Sequence, residues 1–336
     1  MEETQLKPGV SVVVCCYNSA EIIVPTVEAL SRQEVSPGIE YEVILVDNNC
    51  TDNTVQLAND TWKNPSFPLK IVKEKEPGLI YARKTGVKSA RYDILLFVDD
   101  DNILNPDWVT KLYHLYQEMP RVAIIGGYNQ ALIQGNKPSW FDRFESVYAC
   151  GPRDERPGLN PQFLFGAGLS FRTGIIKSVL FSDLPLFLVG RTKNTLIRGE
   201  DTEMSLRCLL LGWDSYYDSS LRLQHNLLSK RVNWNYVCQA KKGGGTARVV
   251  LKMYRDLLNN TESWRFSRFV RHVLREWKKH FIKHKKNIFH FKKPGSDASF
   301  QFYWLLGVSR GLFLYRKTYY RIRERISEYF KTKTDE

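Results

Sequence analysis

Three consecutive aspartates, Asp99, Asp100 and Asp101, follow directly on the apolar run ILLFV at residues 94–98. The run is typical of a buried strand, and adjacent carboxylates at its end repel one another and lose hydration unless a positive group neutralises them. Mg²⁺ or Mn²⁺ suits this role because both ions prefer oxygen ligands and can also neutralise a diphosphate. Aspartate is also common in turns, but three in succession directly after a buried strand make a turn without a metal the weaker alternative.

A second pair of carboxylates lies in the sequence GED, which opens a predicted helix over residues 199–213. A carboxylate at Glu200 or Asp201 can act as a general base toward a hydroxyl group. Acids in the first helical turn also stabilise the helix dipole without doing any chemistry. Glu203 and Arg207, four residues apart, have the spacing of an ion pair along a helix surface.

Apolar, strand-like runs alternate with helix-like segments through the first hundred residues. Strands are predicted over residues 10–17, 41–49, 69–76 and 93–101, and helices over 18–33, 51–62 and 78–90. This alternation predicts an α/β fold, with a mostly parallel central sheet flanked by helices. Ligands of such sheets bind beyond the carboxyl ends of the strands, which is where Asp47 and the three aspartates fall.

Five segments occur along the chain in the order VSVVVCCYNSAE, VILVDNNCTDNT, GLIYARKTGVKSA, FVDDD and RGEDTEMSLR. Together they resemble a family 2 glycosyltransferase with the GT-A (Rossmann-like) fold, over about residues 10–226. The resemblance implies an inverting enzyme of the bacterial polysaccharide or O-antigen type. Its donor would be a nucleotide-diphosphate sugar, UDP rather than another, and its acceptor a glycan hydroxyl, lipid-linked in cell-surface polysaccharide biosynthesis.

The resemblance also assigns residues to the donor. Those implied to bind the donor nucleotide are Tyr17, Asp47, Arg83, Asp99 and Asp100. Asp101, together with Asp99, is implied to bind a divalent metal, Mg²⁺ or Mn²⁺, beside the diphosphate. Related GT-A enzymes often complete the metal shell with a histidine after the catalytic helix, which here is His225. A lone histidine is as often a satisfied structural group, and that alternative stays open.

The family places its catalytic carboxylate at the second acid of the GED motif. Asp201 is therefore implied to be the general base that takes the proton from the acceptor hydroxyl. Glu200 would orient Asp201 or contact the acceptor. Attack opposite the leaving nucleotide in one displacement would invert the anomeric centre.

Two other classes of function compete with a glycosyltransferase. A nucleotidyltransferase also joins an α/β domain to acidic metal ligands, but it usually needs a Gly-rich basic loop after the first strand, and CCYNSAE offers none. A catalytically silent sugar-nucleotide-binding protein, or a scaffold of a glycan assembly complex, would keep the donor residues without the catalysis. The intact GED motif disfavours a silent protein without excluding it.

The glycine-rich segment KKGGGTARVV at residues 241–250 has two interpretations. Backbone amides at a helix start can hold a phosphate, although the segment lacks the G-K-[ST] sequence of a P-loop. A flexible hinge between a catalytic domain and a tail is the alternative. We therefore expect a catalytic domain over residues 1–230 and a basic, aromatic, helical tail over 231–336.

Charge is unevenly distributed along the chain, whose net charge is +13. Residues 241–336 carry 24 of the 49 Lys and Arg residues but only 8 of the 36 Asp and Glu residues. Within them, residues 264–293 interleave Arg and Lys with Trp and Phe. This pattern suits an anionic membrane surface first, helices packed on the core second, and nucleic acid a distant third.

The remaining features bear on the compartment. The amino terminus is polar without an apolar signal-peptide core, and no run reaches about 18 apolar residues. The six cysteines show no metal-ligand spacing, which favours reduced thiols. The sequence predicts a cytoplasmic protein, peripheral on the inner face of the cell membrane, and it leaves the oligomeric state open.

Overall fold

The computed structural model describes residues 5–151, 158–161, 164–189, 198–261, 265–285 and 293–334. The chain divides into two compact units. The first consists of Met1–Gln134, Ala149–Ser182 and Gly212–Leu227, and the second of Gly135–Tyr148, Asp183–Leu211 and Leu228–Glu336. The second unit therefore contains two earlier segments in addition to the basic carboxyl-terminal region.

Strands lie mainly in the first unit and long helices in the second. The strands are β1 (Lys7–Cys16), β2 (Tyr41–Asp47), β3 (Leu69–Lys73), β4 (Tyr92–Asp99), β5 (Asn102–Leu104), β6 (Val122–Gln134), β7 (Gly158–Leu159), β8 (Leu169–Arg172) and β9 (Asp214–Leu228). The helices are α1 (Ile23–Ser31), α2 (Thr54–Thr61), α3 (Leu79–Ser89), α4 (Trp108–Glu118), α5 (Phe141–Phe144), α6 (Thr173–Leu180), α7 (Glu200–Leu210), α8 (Trp234–Leu258), α9 (Phe266–His284), α10 (Asp297–Tyr315) and α11 (Tyr319–Thr334). Short 3₁₀ turns occupy Glu145–Tyr148 and Ser229–Arg231.

One sheet organises the first unit, with the strand order β3-β2-β1-β4-β8-β6-β9-β5 and β7 paired to β9. Strands β1 to β4 run parallel to one another, as β-α-β units require. Beyond β4 the sheet continues with antiparallel pairs. The predicted α/β class, with parallel strands flanked by helices, is confirmed, and the antiparallel extension is an addition to it.

Helices cover both faces of the parallel strands, which explains why β1 is apolar at nearly every position. Val10, Val12 and Val14 belong to one buried cluster together with Ile23, Val27 and Leu30 of α1. On the opposite face, a Cβ built on Gly86 of α3 would lie 2.3 Å from Val13 Cγ1, so α3 approaches β1 more closely than any larger residue allows. The strand ends are thereby held in fixed positions.

In the second unit, the glycine-rich segment lies in the interior of α8. Both sequence-based interpretations, a hinge and a phosphate-binding loop, are therefore wrong. The glycines serve a close crossing of α8 and α10: a Cβ on Gly245 would lie 2.5 Å from Trp304 O, and one on Gly307 would lie 2.1 Å from Lys242 O. Helix packing at backbone distance outweighs the poor helix propensity of glycine here.

Alanine substitutions at adjacent glycines of α8 are expected to have opposite effects. Gly245→Ala should lower the free energy of unfolding by roughly 1–3 kcal/mol, because the obstructing atoms belong to the backbone of α10. Gly244→Ala meets nothing nearer than a Trp304 ring carbon at 3.8 Å. It should raise the free energy of unfolding by up to about 1 kcal/mol through helix propensity. Denaturant unfolding of both variants measures this, and equal effects would contradict the close crossing.

No helix of the described ranges is long and apolar enough to cross a membrane.

Candidate functional site

The carboxyl ends of β1, β2 and β4 lie side by side. In the register of the sheet, Cys16 pairs with Asp47 on one side of β1, and Cys15 pairs with Asp99 on the other. Tyr17 follows directly and is 48% exposed. The structure therefore brings Tyr17, Asp47 and Asp99 together at the edge where parallel sheets bind ligands.

The loop after β2 is fixed by side chain to backbone hydrogen bonds. Asp47 Oδ1 accepts from the amide of Cys50 at 2.8 Å. Asn48 Oδ1 accepts from the amide of Gly78 at 2.8 Å, and Asn48 Nδ2 donates to the carbonyl of Glu76 at 2.7 Å. Asn48 thus joins the end of β2 to the start of α3.

Arg83 of α3 is buried, with its guanidinium 5.1 Å from the centre of the Phe97 ring. It also lies close enough to act on the Cys15 thiol at the end of β1. Burial raises the pKa of Cys15 to about 12, Arg83 opposes the rise, and Asp99 and Asp100 add to it. The sequence-predicted Arg83 therefore lies at the same sheet edge as the aspartates.

The three aspartates are arranged by neighbouring polar side chains. Asn102, fully buried, accepts from the amide of Asp99 through Oδ1 and donates to Asp101 Oδ1 through Nδ2, both at 3.1 Å. The Asp100 carboxylate accepts from the hydroxyl of Ser19. The triplet is therefore a turn fixed by Asn102 and Ser19, and the carboxylates of Asp100 and Asp101 have separate partners.

Asp101 lies against His225, although the two residues are 124 positions apart in the sequence. Asp101 Oδ2 is 3.1 Å from His225 Nε2, and both side chains are buried. The antiparallel pairing of Asn102 in β5 with His225 in β9 produces this contact. Cys150 Sγ lies 3.8 Å from the other ring nitrogen. Burial alone would lower the pKa of His225, but the charge and hydrogen bond of Asp101, with Cys150, raise it to about 10.

This pair fits a divalent metal in its donor types. A carboxylate oxygen and an imidazole nitrogen that meet at 3.1 Å could provide two ligands, provided that the metal displaces the proton that the raised pKa of His225 places on the ring. Mg²⁺ is usually held by only one or two protein carboxylates, with substrate phosphates and water completing its shell. Among the residues that the structure describes, no group of three or more His, Cys, Asp or Glu side chains could hold an ion by itself.

The two acids of the GED motif lie in the second unit, at the first turn of α7. Gly199 precedes the helix with φ at +116°, a conformation that favours glycine. Glu200 is buried and accepts from the amide of Gly199 at 3.0 Å. Asp201 is half-buried, and its Oδ1 accepts from the amide of Thr202 at 2.8 Å. The backbone turn thus fixes both carboxylates.

Glu203 and Arg207 of α7 form an ion pair of 2.8 Å whose side chains are 0% and 1% exposed. The predicted ion pair is therefore present, but it is buried and does not lie on the helix surface as predicted. Glu203 also accepts from the amides of Phe187 and Leu188 and from the Tyr254 hydroxyl. The pair connects α7 to the preceding segment and to α8.

The model of the family described as "Glycosyl transferase family 2" matches residues 11–180, just over half of the chain. This range contains most of β1, all of β2 to β4, and the aspartate triplet. The chain belongs to this family. It is accordingly a glycosyltransferase, and the predicted family and enzyme class are confirmed.

Characterised relatives are similar to this glycosyltransferase over part of their length. The glucosyl-dolichyl phosphate glucuronosyltransferase of Haloferax volcanii is 24% identical over 68% of this chain and 72% of its own. The poly-beta-1,6-N-acetyl-D-glucosamine synthase of Staphylococcus epidermidis is 23% identical over 54% of this chain and 43% of its own. The chain thus spans less than half the length of the second relative. Among solved structures, S. aureus TarS 1-349 in complex with UDP aligns with a TM-score of 0.47 and 17% identity, over 84% of this chain and 75% of that one.

The structure of this glycosyltransferase places the predicted residues in two sets. The first unit holds Tyr17, Asp47, Arg83, Asp99, Asp100, Asp101 and His225, and the second unit holds Glu200 and Asp201. Sequence reasoning missed the supporting residues Ser19, Asn48 and Asn102. Their position in the sequence could have identified them, because each lies within three residues after the end of a strand that reaches the site. Cys150 gave no signal, because only the folded sheet brings it to His225.

Proposed function

We propose that this glycosyltransferase transfers a sugar from a UDP-sugar to a hydroxyl of a glycan acceptor, with inversion at the anomeric carbon. The observation that carries the proposal is the buried contact of Asp101 with His225, at the sheet edge that also carries Asp47 and Asp99. The nucleotide would bind at this edge. Asp101 and His225 would bind a metal ion that contacts the diphosphate. Family membership supplies the type of reaction.

The nucleotide would lie along the carboxyl ends of β1, β2 and β4. The exposed ring of Tyr17 offers a surface for the base, and Asp47 offers a carboxylate to the base or ribose. Arg83, buried with its guanidinium over the Phe97 ring, brings positive charge to the aspartate cluster. Asp99 would contact the ribose, and Asp100 fixes the loop through Ser19.

Asp101 and His225, with Asp99 nearby in the turn, would hold Mg²⁺ or Mn²⁺. When bound, the ion neutralises the charge that develops on the departing diphosphate. Asn102 orients the Asp101 carboxylate through Oδ1, which leaves Oδ2 directed at His225. The residues of this chain therefore supply the ligands and their orientation.

Asp201 would be the general base. As the acceptor oxygen forms its bond to the anomeric carbon, the bond from that carbon to the diphosphate breaks, and Asp201 takes the proton of the acceptor hydroxyl. The Thr202 amide holds Asp201 Oδ1, which leaves the other carboxylate oxygen for this proton. Glu200, fixed on Gly199, supports the same turn.

A lipid-linked glycan in cell-surface polysaccharide biosynthesis is the acceptor we propose. One relative is named for its action on a glucosyl-dolichyl phosphate, and another for the synthesis of a polysaccharide. The basic carboxyl-terminal region is consistent with an acceptor held at an anionic surface. Transfer rates to a lipid-linked oligosaccharide and to the same oligosaccharide released from its lipid test this, and a preference for the released form would contradict it.

Thermal unfolding in the presence of UDP-, GDP-, dTDP- and CMP-sugars tests donor and metal together. We expect a UDP-sugar with Mn²⁺ to stabilise the protein by about 2.7 kcal/mol at a concentration one hundred times its Kd, and chelation to remove most of this effect. Asp101→Asn should abolish the metal-dependent part, because it removes a charged ligand.

Asp60→Asn serves as the matched control, since Asp60 is exposed on α2. The quantity compared is the ligand-induced shift relative to each variant's own unfolding temperature, so that a change in stability caused by Asp101→Asn does not enter. An undiminished metal-dependent shift in Asp101→Asn would refute the assignment of Asp101.

A further inference from the structure

Helix α9 exposes large apolar side chains among basic ones. Leu274, Phe281 and Ile282 are 61%, 52% and 58% exposed. At about 100° per residue, these three share roughly one third of the helix circumference with three exposed basic residues. We call this surface the basic-apolar face, and it consists of Arg271, Leu274, Arg275, Lys278, Phe281 and Ile282.

The opposite side of α9 anchors the helix in the second unit. Phe269 and Val273 are buried there in a cluster with residues of α8, α10 and α11. Trp277 donates from its indole nitrogen to the Ser309 hydroxyl of α10 at 3.0 Å. Phe281 stacks on the Trp277 ring with a centroid distance of 5.5 Å, but the packing of the helices does not account for the exposed Leu274 and Ile282.

Basic residues dominate the charge of α9, and exposed Arg268, Lys279 and Lys283 lie beside the basic-apolar face rather than on it. Its acid, Glu276, pairs with Lys279 at 2.8 Å, outside the basic-apolar face. The face itself therefore presents three positive charges together with three exposed apolar side chains. Contact with water alone would not stabilise the exposed side chains of Leu274 and Ile282. A lipid interface accommodates basic and apolar side chains together, because the cations lie among the headgroups and the apolar side chains lie at the acyl boundary.

We propose that the basic-apolar face of α9 docks the protein on an anionic lipid bilayer. Arg271, Arg275 and Lys278 pair with anionic headgroups, and Leu274, Phe281 and Ile282 enter the interface. Single-stranded nucleic acid would share the cations, but it binds through stacking on aromatic rings, and two of the three apolar residues of the face are aliphatic. Docking concerns partner and location, so it can hold or fail independently of the transfer reaction.

Sedimentation of the full chain with lipid vesicles tests the proposal. We expect binding to vesicles that contain phosphatidylglycerol, little binding to phosphatidylcholine alone, and weakening at high salt. Replacing Arg271, Arg275 and Lys278 by Gln should weaken partitioning on the order of 100-fold. The same replacement of three exposed lysines in the first unit, Lys7, Lys63 and Lys70, removes equal charge and should have little effect.

A second variant separates the apolar contribution from charge. Leu274→Ser should weaken partitioning roughly tenfold. Leu159→Ser, at a leucine of the first unit that is also 61% exposed, should leave it unchanged. The proposal is overturned if the anionic vesicles do not bind, if the changes in α9 do no more than their controls, or if single-stranded nucleic acid displaces the vesicles from this face.

Discussion

Replacement of Asp201 by Asn is expected to slow sugar transfer by about 10²- to 10⁴-fold, which is the range that general acid–base groups contribute. Asparagine has nearly the same shape and can still accept from the Thr202 amide, so α7 should keep its first turn. It cannot take the proton of the acceptor hydroxyl. Because the donor residues lie in the first unit, the metal-dependent stabilisation by the donor should persist.

Two measurements on each variant are therefore needed, the transfer rate and the thermal shift with donor. Asp60→Asn, an exposed carboxamide substitution on α2, provides the baseline for both. A loss of transfer with donor binding retained identifies Asp201 as a catalytic residue. If the wild type binds donor but transfers to no acceptor, and Asp201→Asn behaves identically, the protein is a sugar-nucleotide binder. If Asp201→Asn transfers at the wild-type rate, the base is a different group.

The parallel part of the fold was predictable because its signals are local. Strands β1, β2 and β4 contain apolar runs, the shorter β3 mixes apolar residues with lysines, and the helices between them have their own periodicity. The end of each strand then fixes where Asp47 and Asp99 fall, since parallel strands end at one edge. The positions of Asp47 and Asp99 at this edge therefore follow from where their strands end.

The remaining parts depend on contacts between distant segments. His225 contacts Asp101 only because β5 pairs with β9, and no local sequence pattern predicts this pairing. The glycines of α8 have low helix propensity and therefore suggest a loop. The reason for them is the close approach of the α10 backbone, which only the folded structure shows. The α1 boundary has a similar cause. The helix predicted from residue 18 begins only at Ile23, and the Ser19 hydroxyl before it donates to Asp100.

The buried pair of α7 leads to the second large effect. Glu203→Gln should lower the free energy of unfolding by roughly 3–5 kcal/mol, because Arg207 stays buried without its counter-charge. The carboxylate of Glu203 also accepts from two backbone amides and from the hydroxyl of Tyr254, whose pKa is raised by burial and by Glu203. The single carbonyl oxygen of a glutamine cannot serve all these donors.

The chain contains a matched control for this substitution. Glu28 of α1 and Arg32, which caps the end of that helix, have the same order and spacing as Glu203 and Arg207. Their side chains are 45% and 75% exposed, and their closest atoms lie 3.8 Å apart. Glu28→Gln should change the free energy of unfolding by less than about 1 kcal/mol, as exposed pairs do. Denaturant unfolding of the two variants thus isolates burial from sequence pattern. Equal losses would mean that the buried network does not hold α7 in place.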